Sequence, residues 1–347
     1  MTIYSPMARR LGAWAVLRVW GAIGVGVAGL GGLPGCGGST PQAEAPPPPL
    51  DDDEGAPAAA PSSGKVKAAV EAIQAGDFAK AKGILDGAVK EAPRDAQAAF
   101  YLGVAIEGLG DAKGAAGQYK IALGLDGKLT EASVNLSGVL LDLDDAKGAL
   151  AVAEAGLRGA PKNPALLRNR AVGLDATGSP DALAAFRAAV AASPNDGETH
   201  FLLADALARG GDGKGAVAEL EPLVKSEDVA VLASAARLLG RLKAFDACIA
   251  ALDRAVTKEG AKQSSAELRV ARGLCRHGKK DDKGAQADFE GAIGANPEFA
   301  PAHYYLGMQK KEAGDAKGAR AELQKAADLD PKSGMGAAAK KALTELK

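Results

Sequence analysis

The chain has 347 residues, of which 47% are hydrophobic and 4% aromatic, and its 42 basic residues nearly balance 43 acidic ones. A surface that follows a nucleic-acid backbone needs excess positive charge and clustered aromatic side chains, so this composition argues against nucleic-acid binding. The 45 glycines and the abundant alanines indicate an interior of closely packed, thin helices instead.

The first 35 residues have the features of a signal peptide. Arg9 and Arg10 precede an apolar, glycine-rich stretch at 19–33 that contains no acidic residue. This stretch is too short to span a membrane and ends in small residues, as export signals do. We therefore predict that residues 1–35 are a signal peptide and that the mature chain is exported.

Residues 33–36 read Leu-Pro-Gly-Cys. They resemble the lipobox of bacterial lipoproteins, in which the cysteine is acylated and becomes the mature N-terminus. The resemblance implies a lipid anchor on Cys36, and the following Gly37 implies sorting to the outer membrane, facing the periplasm. The alternative is an ordinary cleaved signal with an unmodified cysteine. Translation can begin at Met1 or Met7, and the sequence does not decide which.

Residues 36–62 form a segment with almost no large apolar side chains. Such a segment cannot bury enough surface to fold, and its prolines favour extended polyproline II structure. We predict a disordered tether that reaches tens of ångströms from a membrane, at about 3.1 Å per residue. Its acidic run at 51–54 lacks a turn-forming glycine at the spacing of a calcium loop, so we interpret it as a solvated spacer.

One short phrase then recurs through the rest of the chain. It reads Gly-Asp-Ala-Lys-Gly-Ala or a close variant at 110–115, 144–149, 211–216, 281–285 and 314–319. With weaker copies included, the small residue that closes the phrase recurs about every 34 residues, as Ala81, Ala115, Ala149, Ala182, Ala216, Cys248, Ala285 and Ala319. Such a period is typical of stacked units that bury their apolar faces against one another. Each unit has room for two helices, and prolines such as Pro93 and Pro331 close several of them.

These features resemble the tetratricopeptide repeat, whose signature is a Leu-Gly pair, a Gly-Asp turn, two alanines in the second helix and a closing proline. The Leu-Gly pair stands at Leu102-Gly103 and Leu306-Gly307, and other units replace it, as at Leu136-Ser137. The resemblance covers roughly residues 62–332.

The resemblance implies an all-α fold, a right-handed superhelical solenoid of about eight helix-turn-helix repeats at 63–332. Within one unit, Gly103 lets the facing helix approach closely at Ala115. Residues 333–347 are predicted to form a final helix with its lysines outward, the polar cap that the end of a solenoid requires.

No catalytic or metal-binding pattern is recognisable. His200 and His303 occupy equivalent places in their units, where a large residue packs, so we interpret them as core or rim residues. No His-Glu-x-x-His or Cys-x-x-Cys motif occurs. Cys248 stands where other units have alanine, so its role as a small packing residue is sufficient to explain it. In an oxidising compartment a disulfide with Cys275 is the alternative. We expect no enzymatic activity, no cofactor, no metal and no small-molecule substrate.

In the family that the chain resembles, stacked first helices line a concave groove that binds partner proteins. The corresponding candidates are Phe100, Tyr101, Val104, Asn135, Arg168, Asn169, Phe201, Asp205, Tyr304, Tyr305 and Met308. The asparagines are expected to hydrogen-bond a peptide backbone, and the aromatics to anchor partner side chains. Alternatively, one aromatic of each adjacent pair packs against the next repeat. The lysine–asparagine carboxylate clamp of chaperone-binding members is not reproduced, which disfavours recognition of a C-terminal carboxylate.

The sequence therefore predicts a non-catalytic protein-binding scaffold, lipid-anchored in the bacterial envelope. One alternative is an outer-membrane assembly factor for pilus, secretin or gliding-motility machinery. Another, from a different class, is an accessory subunit of an envelope enzyme. The repeats alone do not select among these functions or identify the partner.

Overall fold

The computed structural model describes residues 63–260, 262 and 265–346. The signal peptide, Cys36 and the tether, all predicted within 1–62, lie outside the described residues. Within the described part of the chain every regular element is helical, which confirms the all-α prediction. Contacts divide the chain into two compact units, one ending at Ala132 and one beginning at Ser133, and each is described separately below.

The first unit contains two helix pairs. They are α1 (Ser63–Gln74) with α2 (Phe78–Glu91), and α3 (Ala96–Gly108) with α4 (Ala112–Leu125). The core of α1–α3 consists of small and medium side chains such as Ala81, Leu85 and Leu102. We call the helix that begins each pair its first helix, and the helix that ends the pair its second helix.

The second unit continues the same alternation. Its helices are α5 (Thr130–Asp142, which begins at the boundary), α6 (Ala146–Gly159), α7 (Pro164–Ala176), α8 (Ala182–Ala192), α9 (Gly197–Arg209), α10 (Gly213–Leu220), α11 (Val229–Arg241), α12 (Phe245–Glu259), α13 (Ser265–Gly278), α14 (Asp282–Ala295), α15 (Ala300–Glu312), α16 (Ala316–Leu329) and α17 (Gly334–Thr344). A short 3-10 helix, Pro222–Lys225, extends α10. The odd-numbered helices from α5 to α15 are first helices, and α17 follows the last pair.

The recurring phrase is the turn between the helices of a pair. In its first copy Gly110 has φ 91°, a left-handed conformation that favours glycine. Asp111 then caps α4, because its Oδ1 accepts a hydrogen bond from the Gly114 amide at 2.8 Å. A Cβ atom on Gly114 would lie 2.3 Å from the Asp111 carboxylate, so the second glycine makes room for the cap. The same cap recurs at Asp145, Asp212, Asp281 and Asp315.

The small residues of the repeat lie where two helices touch. All eight residues that close the phrase, from Ala81 to Ala319, are buried. A Cβ atom on Gly103 would lie 2.6 Å from the Tyr119 ring, and one on Gly307 would lie 2.8 Å from Leu323 Cγ. Close contact between the first and second helix therefore depends on the missing side chain.

Replacement of Ala115 by leucine is expected to lower the free energy of unfolding by about 1–3 kcal/mol, because the site is fully buried and overpacking forces neighbours apart. Chemical denaturation followed by circular dichroism measures this loss. Lys113→Leu, at an exposed position of the same helix, is the control. Equal midpoints for the two variants would show that the helix contact tolerates extra volume.

The last pair is covered by α17. Leu323, Ala326 and Ala327 of α16 form a buried cluster with Ala339 and Ala342 of α17. A chain truncated after Pro331 exposes this cluster, so we expect α15 and α16 to lose amide-exchange protection while α5–α10 keep theirs. Hydrogen exchange with mass spectrometry resolves the two regions. Loss of protection throughout α5–α16 would contradict nearest-neighbour stacking.

Cys248 of α12 and Cys275 of α13 form a disulfide, with their Cα atoms 6.4 Å apart. The sequence leaves this pairing open, and the alanine position alone accounts for Cys248 without a bridge. The structure corrects that interpretation. The bridge links the second helix of one pair to the first helix of the next.

Candidate protein-binding surface

Three successive first helices of the second unit are joined by ion pairs on one face. Arg209 of α9 donates to Asp175 of α7 at 2.6 Å and to Asp205 of its own helix at 3.1 Å. Arg241 of α11 donates to the other oxygen of Asp205 at 3.0 Å. We call these four residues the charge ladder. It places α7, α9 and α11 side by side, with the guanidinium groups of both arginines exposed.

A second set of charges joins the N-terminal ends of α7 and α9. Arg168 lies 2.9 Å from Asp196 and 3.2 Å from Glu198. Burial raises the pKa of the Asp196 carboxyl, but a hydrogen bond from Thr199 and the charge of Arg168 outweigh it, so that the pKa is lowered. Asp196 is therefore held as a carboxylate that caps α9 and binds Arg168.

The candidates in the first unit pack mainly into its interior. Phe100 is 8% exposed, and its ring centroid lies 5.0 Å from that of Tyr101 and 5.8 Å from that of Tyr119. Tyr101 and Val104 are half-buried against the core of α1–α3. Phe100 thus follows the alternative in which one aromatic of the pair serves packing, and we leave it out of the proposed surface.

The asparagine candidates differ in their surroundings. Asn135 is half-buried. Asn169 is buried, and its side-chain amide donates to Val134 O at 3.1 Å and to Ser137 Oγ at 2.8 Å. These bonds connect α7 to α5, so the amide hydrogens of Asn169 hold two first helices together and are not free for a partner backbone.

The remaining candidates divide between two places. Phe201 is half-buried against the main core of the second unit, one turn before Asp205 on α9. Tyr305 stacks on Phe289 with centroids 5.9 Å apart, and burial raises its pKa. Tyr304 and Met308 are half-buried against the cluster between α16 and α17. Asp205 is thus a member of the charge ladder and Phe201 lies one turn from it, while the tyrosines mainly support packing.

Both unit-equivalent histidines make the same contacts. His200 Nδ1 lies 2.7 Å from Glu219, and its Nε2 lies 2.9 Å from Pro194 O. His303 reproduces this arrangement with Glu322 at 2.8 Å and Pro297 O at 3.0 Å. Each histidine therefore ties the turn that enters its pair to the second helix of that pair.

A cluster of charges around the buried carboxylate of Asp288 lies in α12–α14. Asp288 is 2% exposed and accepts from Arg272 Nε at 3.0 Å and Arg276 Nη1 at 3.0 Å. Asp253 pairs with Arg272 at 2.7 Å. Every charge in this cluster is engaged with another, so we interpret the cluster as structural. Arg272 stands immediately before Gly273, at a position that holds leucine in four other units, and a charged residue at this position is the signal in the sequence.

A tetratricopeptide repeat model matches residues 66–130 and 174–226, which include the turns at Asp111 and Asp212 and the Gly103 contact. Residues 66–130 and 174–226 are therefore tetratricopeptide repeats. Proteins of this family generally act as non-catalytic scaffolds that bind protein partners. No helix in the described part of the chain is sufficiently long and apolar to traverse a membrane.

Solved structures with TM-scores above 0.5 share the fold of this chain. The C-terminal part of a repeat protein from Cytophaga hutchinsonii aligns over 69% of this chain and 98% of its own, at 13% identity and a TM-score of 0.55. PilW, described as a widely conserved type IV pilus biogenesis factor, aligns over 56% of this chain and 92% of its own, at 18% identity and a TM-score of 0.51. Pseudomonas aeruginosa pilF aligns over 60% of this chain and 96% of its own, at 17% identity and a TM-score of 0.49. No curated protein matches the chain significantly.

Proposed function

We propose that this tetratricopeptide repeat protein is a non-catalytic scaffold that binds a partner protein across α7, α9 and α11 and is held at the bacterial envelope by a lipid on Cys36. The observation that carries the binding part is the charge ladder beside Phe201. On α9, Phe201, Asp205 and Arg209 recur every four residues and therefore share one face. An apolar side chain bordered by charged groups is the usual composition of a protein interface.

The ion pairs also prepare this face for binding. Exposed ion pairs add little to stability, about 0–1 kcal/mol each. They do restrict the side chains of Arg209 and Arg241, which reduces the entropy lost when a partner orders them. The side chains of Arg209 and Arg241 on this face are therefore better ordered for recognition than the side chains of unpaired surface arginines.

Photo-cross-linking in cells tests this surface. Phe201 is replaced by p-benzoylphenylalanine, an aromatic of similar shape, and Arg187, exposed on the second helix α8, is replaced in a control chain. We expect a discrete partner adduct from position 201 and none from 187. Adducts from 187 alone would place the partner on the second helices and refute this assignment.

Lipid attachment is tested separately. The proposal rests on the Leu-Pro-Gly-Cys sequence at 33–36, and stable anchoring requires two or more acyl chains. Labelled fatty acid should enter the wild-type protein and not Cys36→Ala. Equal labelling of both proteins would refute the anchor, and recovery in inner-membrane fractions would refute outer-membrane sorting.

A role in pilus assembly is the second candidate, because PilW shares the fold and the chain carries a lipobox-like sequence. A likeness at this identity concerns the fold alone. Deletion of the gene tests the role directly: loss of surface pili would support it, and normal piliation would exclude it.

A further inference from the structure

One arginine on the proposed surface has no anionic partner. Arg237 lies on α11, one turn before Arg241, and its side chain is exposed. Within residues 63–260, 262 and 265–346, no carboxylate forms an ion pair or hydrogen bond with it. Arg241, by contrast, is bound by Asp205.

The surrounding charges do not balance. Arg209, Arg237 and Arg241 are three positive charges, whereas the ladder supplies two carboxylates, Asp175 and Asp205. Asp205 accepts from Arg209 and Arg241, and not from Arg237. One positive charge, that of Arg237 on α11, therefore remains uncompensated beside the charge ladder.

Burial by neighbouring atoms and the charge of Arg241 lower the pKa of Arg237. The charged form of the Arg237 side chain is thus less favourable here than in water, although solvent still reaches the side chain. A carboxylate placed against it removes the unfavourable interaction with Arg241 and gains a charge-assisted hydrogen bond. The unbound protein is prepared for an anion at this position.

We propose that Arg237 binds an aspartate or glutamate side chain within an acidic segment of the partner protein, and that Phe201 receives an apolar side chain from the same segment. Arg237 and Phe201 each lie one turn before a member of the Asp205–Arg241 pair. They therefore flank that pair on neighbouring helices. The inference rests on the proposed function and names the chemistry of its partner.

The protein used for the test is the full mature chain. Its probe is a fluorescent, acetylated and amidated dodecapeptide that alternates Glu with Phe, and the reference probe replaces each Glu by Gln. We expect the acidic peptide to bind at least about tenfold more tightly by fluorescence anisotropy. The free-acid form of the Gln peptide should bind no better than its amide, because the first helices lack a carboxylate clamp.

Arg237→Glu is expected to weaken binding of the acidic peptide by at least about tenfold, and Arg237→Gln by a smaller factor. Arg187→Glu makes the same charge change at an exposed arginine of α8 and should alter affinity by less than about twofold. If Arg237→Glu does not fold, as judged by circular dichroism, Arg237→Gln provides the same comparison. Equal affinity for the two peptides, or equal losses in the two charge-reversal variants, would overturn the inference.

The cross-linking experiment separates this result from the proposed function. If position 201 captures a partner and Arg237→Glu leaves the yield unchanged, the scaffold stands and the acidic partner is refuted. If position 201 captures nothing while 187 does, the proposed surface itself is refuted.

Discussion

Replacing Asp288 by alanine is expected to lower the free energy of unfolding by about 3 kcal/mol, because it removes the one buried carboxylate that two partly buried guanidinium groups share. Asp288 is 2% exposed and binds both Arg272 and Arg276. Asp253 contacts the same arginines, but its side chain is 49% exposed and does not replace the lost buried charge. Urea denaturation followed by circular dichroism measures the change.

Glu154→Ala is the matched control for that prediction. Glu154 also pairs with an arginine, Arg170, at 3.3 Å, but its side chain is 45% exposed. Exposed pairs contribute about 0–1 kcal/mol, so the control should unfold nearly as the wild type does. If Asp288→Ala and Glu154→Ala have the same small effect, then water reaches the α12–α14 cluster and the charges there are not truly buried.

Reduction of the Cys248–Cys275 disulfide is expected to lower the free energy of unfolding by about 3.5 kcal/mol. The two cysteines are 27 residues apart, and the crosslink restricts the unfolded chain over that whole loop. Thermal unfolding with and without a thiol reductant measures the loss. The oxidised protein should have the higher midpoint.

A chain with Cys248→Ala and Cys275→Ala serves as the control. Alanine occupies the position of Cys248 in the other units, so packing in α12 should be retained. This variant should unfold at the midpoint of the reduced wild type, and the reductant should leave it unchanged. A wild-type midpoint insensitive to reductant would show that the bridge does not form in the folded protein.

Sequence patterns predicted the fold well because the repeat signals are local. Gly110 and Asp111 specify a left-handed residue and a helix cap within one turn, so their function follows from neighbours in the chain. The role of Gly114 was not anticipated, although it lies in the same phrase. Its missing side chain matters because of the Asp111 carboxylate, a three-dimensional contact that the phrase does not reveal.

The candidate site was harder to predict, because exposure depends on which helix packs next. Phe100 and Tyr101 are adjacent and chemically alike, yet only Phe100 is buried. The disulfide likewise depends on the packing of α12 against α13. Arg237 and Arg241 did carry a signal, since two like charges one turn apart on a helix repel unless an anion joins them.

The disulfide also determines how this molecule resists pulling. Suppose that force acts on the C-terminus while the N-terminal side is held. Tension then passes through the sulfur–sulfur bond, and the residues between Cys248 and Cys275 bear no load. The chain beyond the bridge, residues 276–346, has no such shortcut and can be drawn out to roughly 240 Å. The bridge thus shields only the loop that it closes, and the chain on either side of it stays extensible.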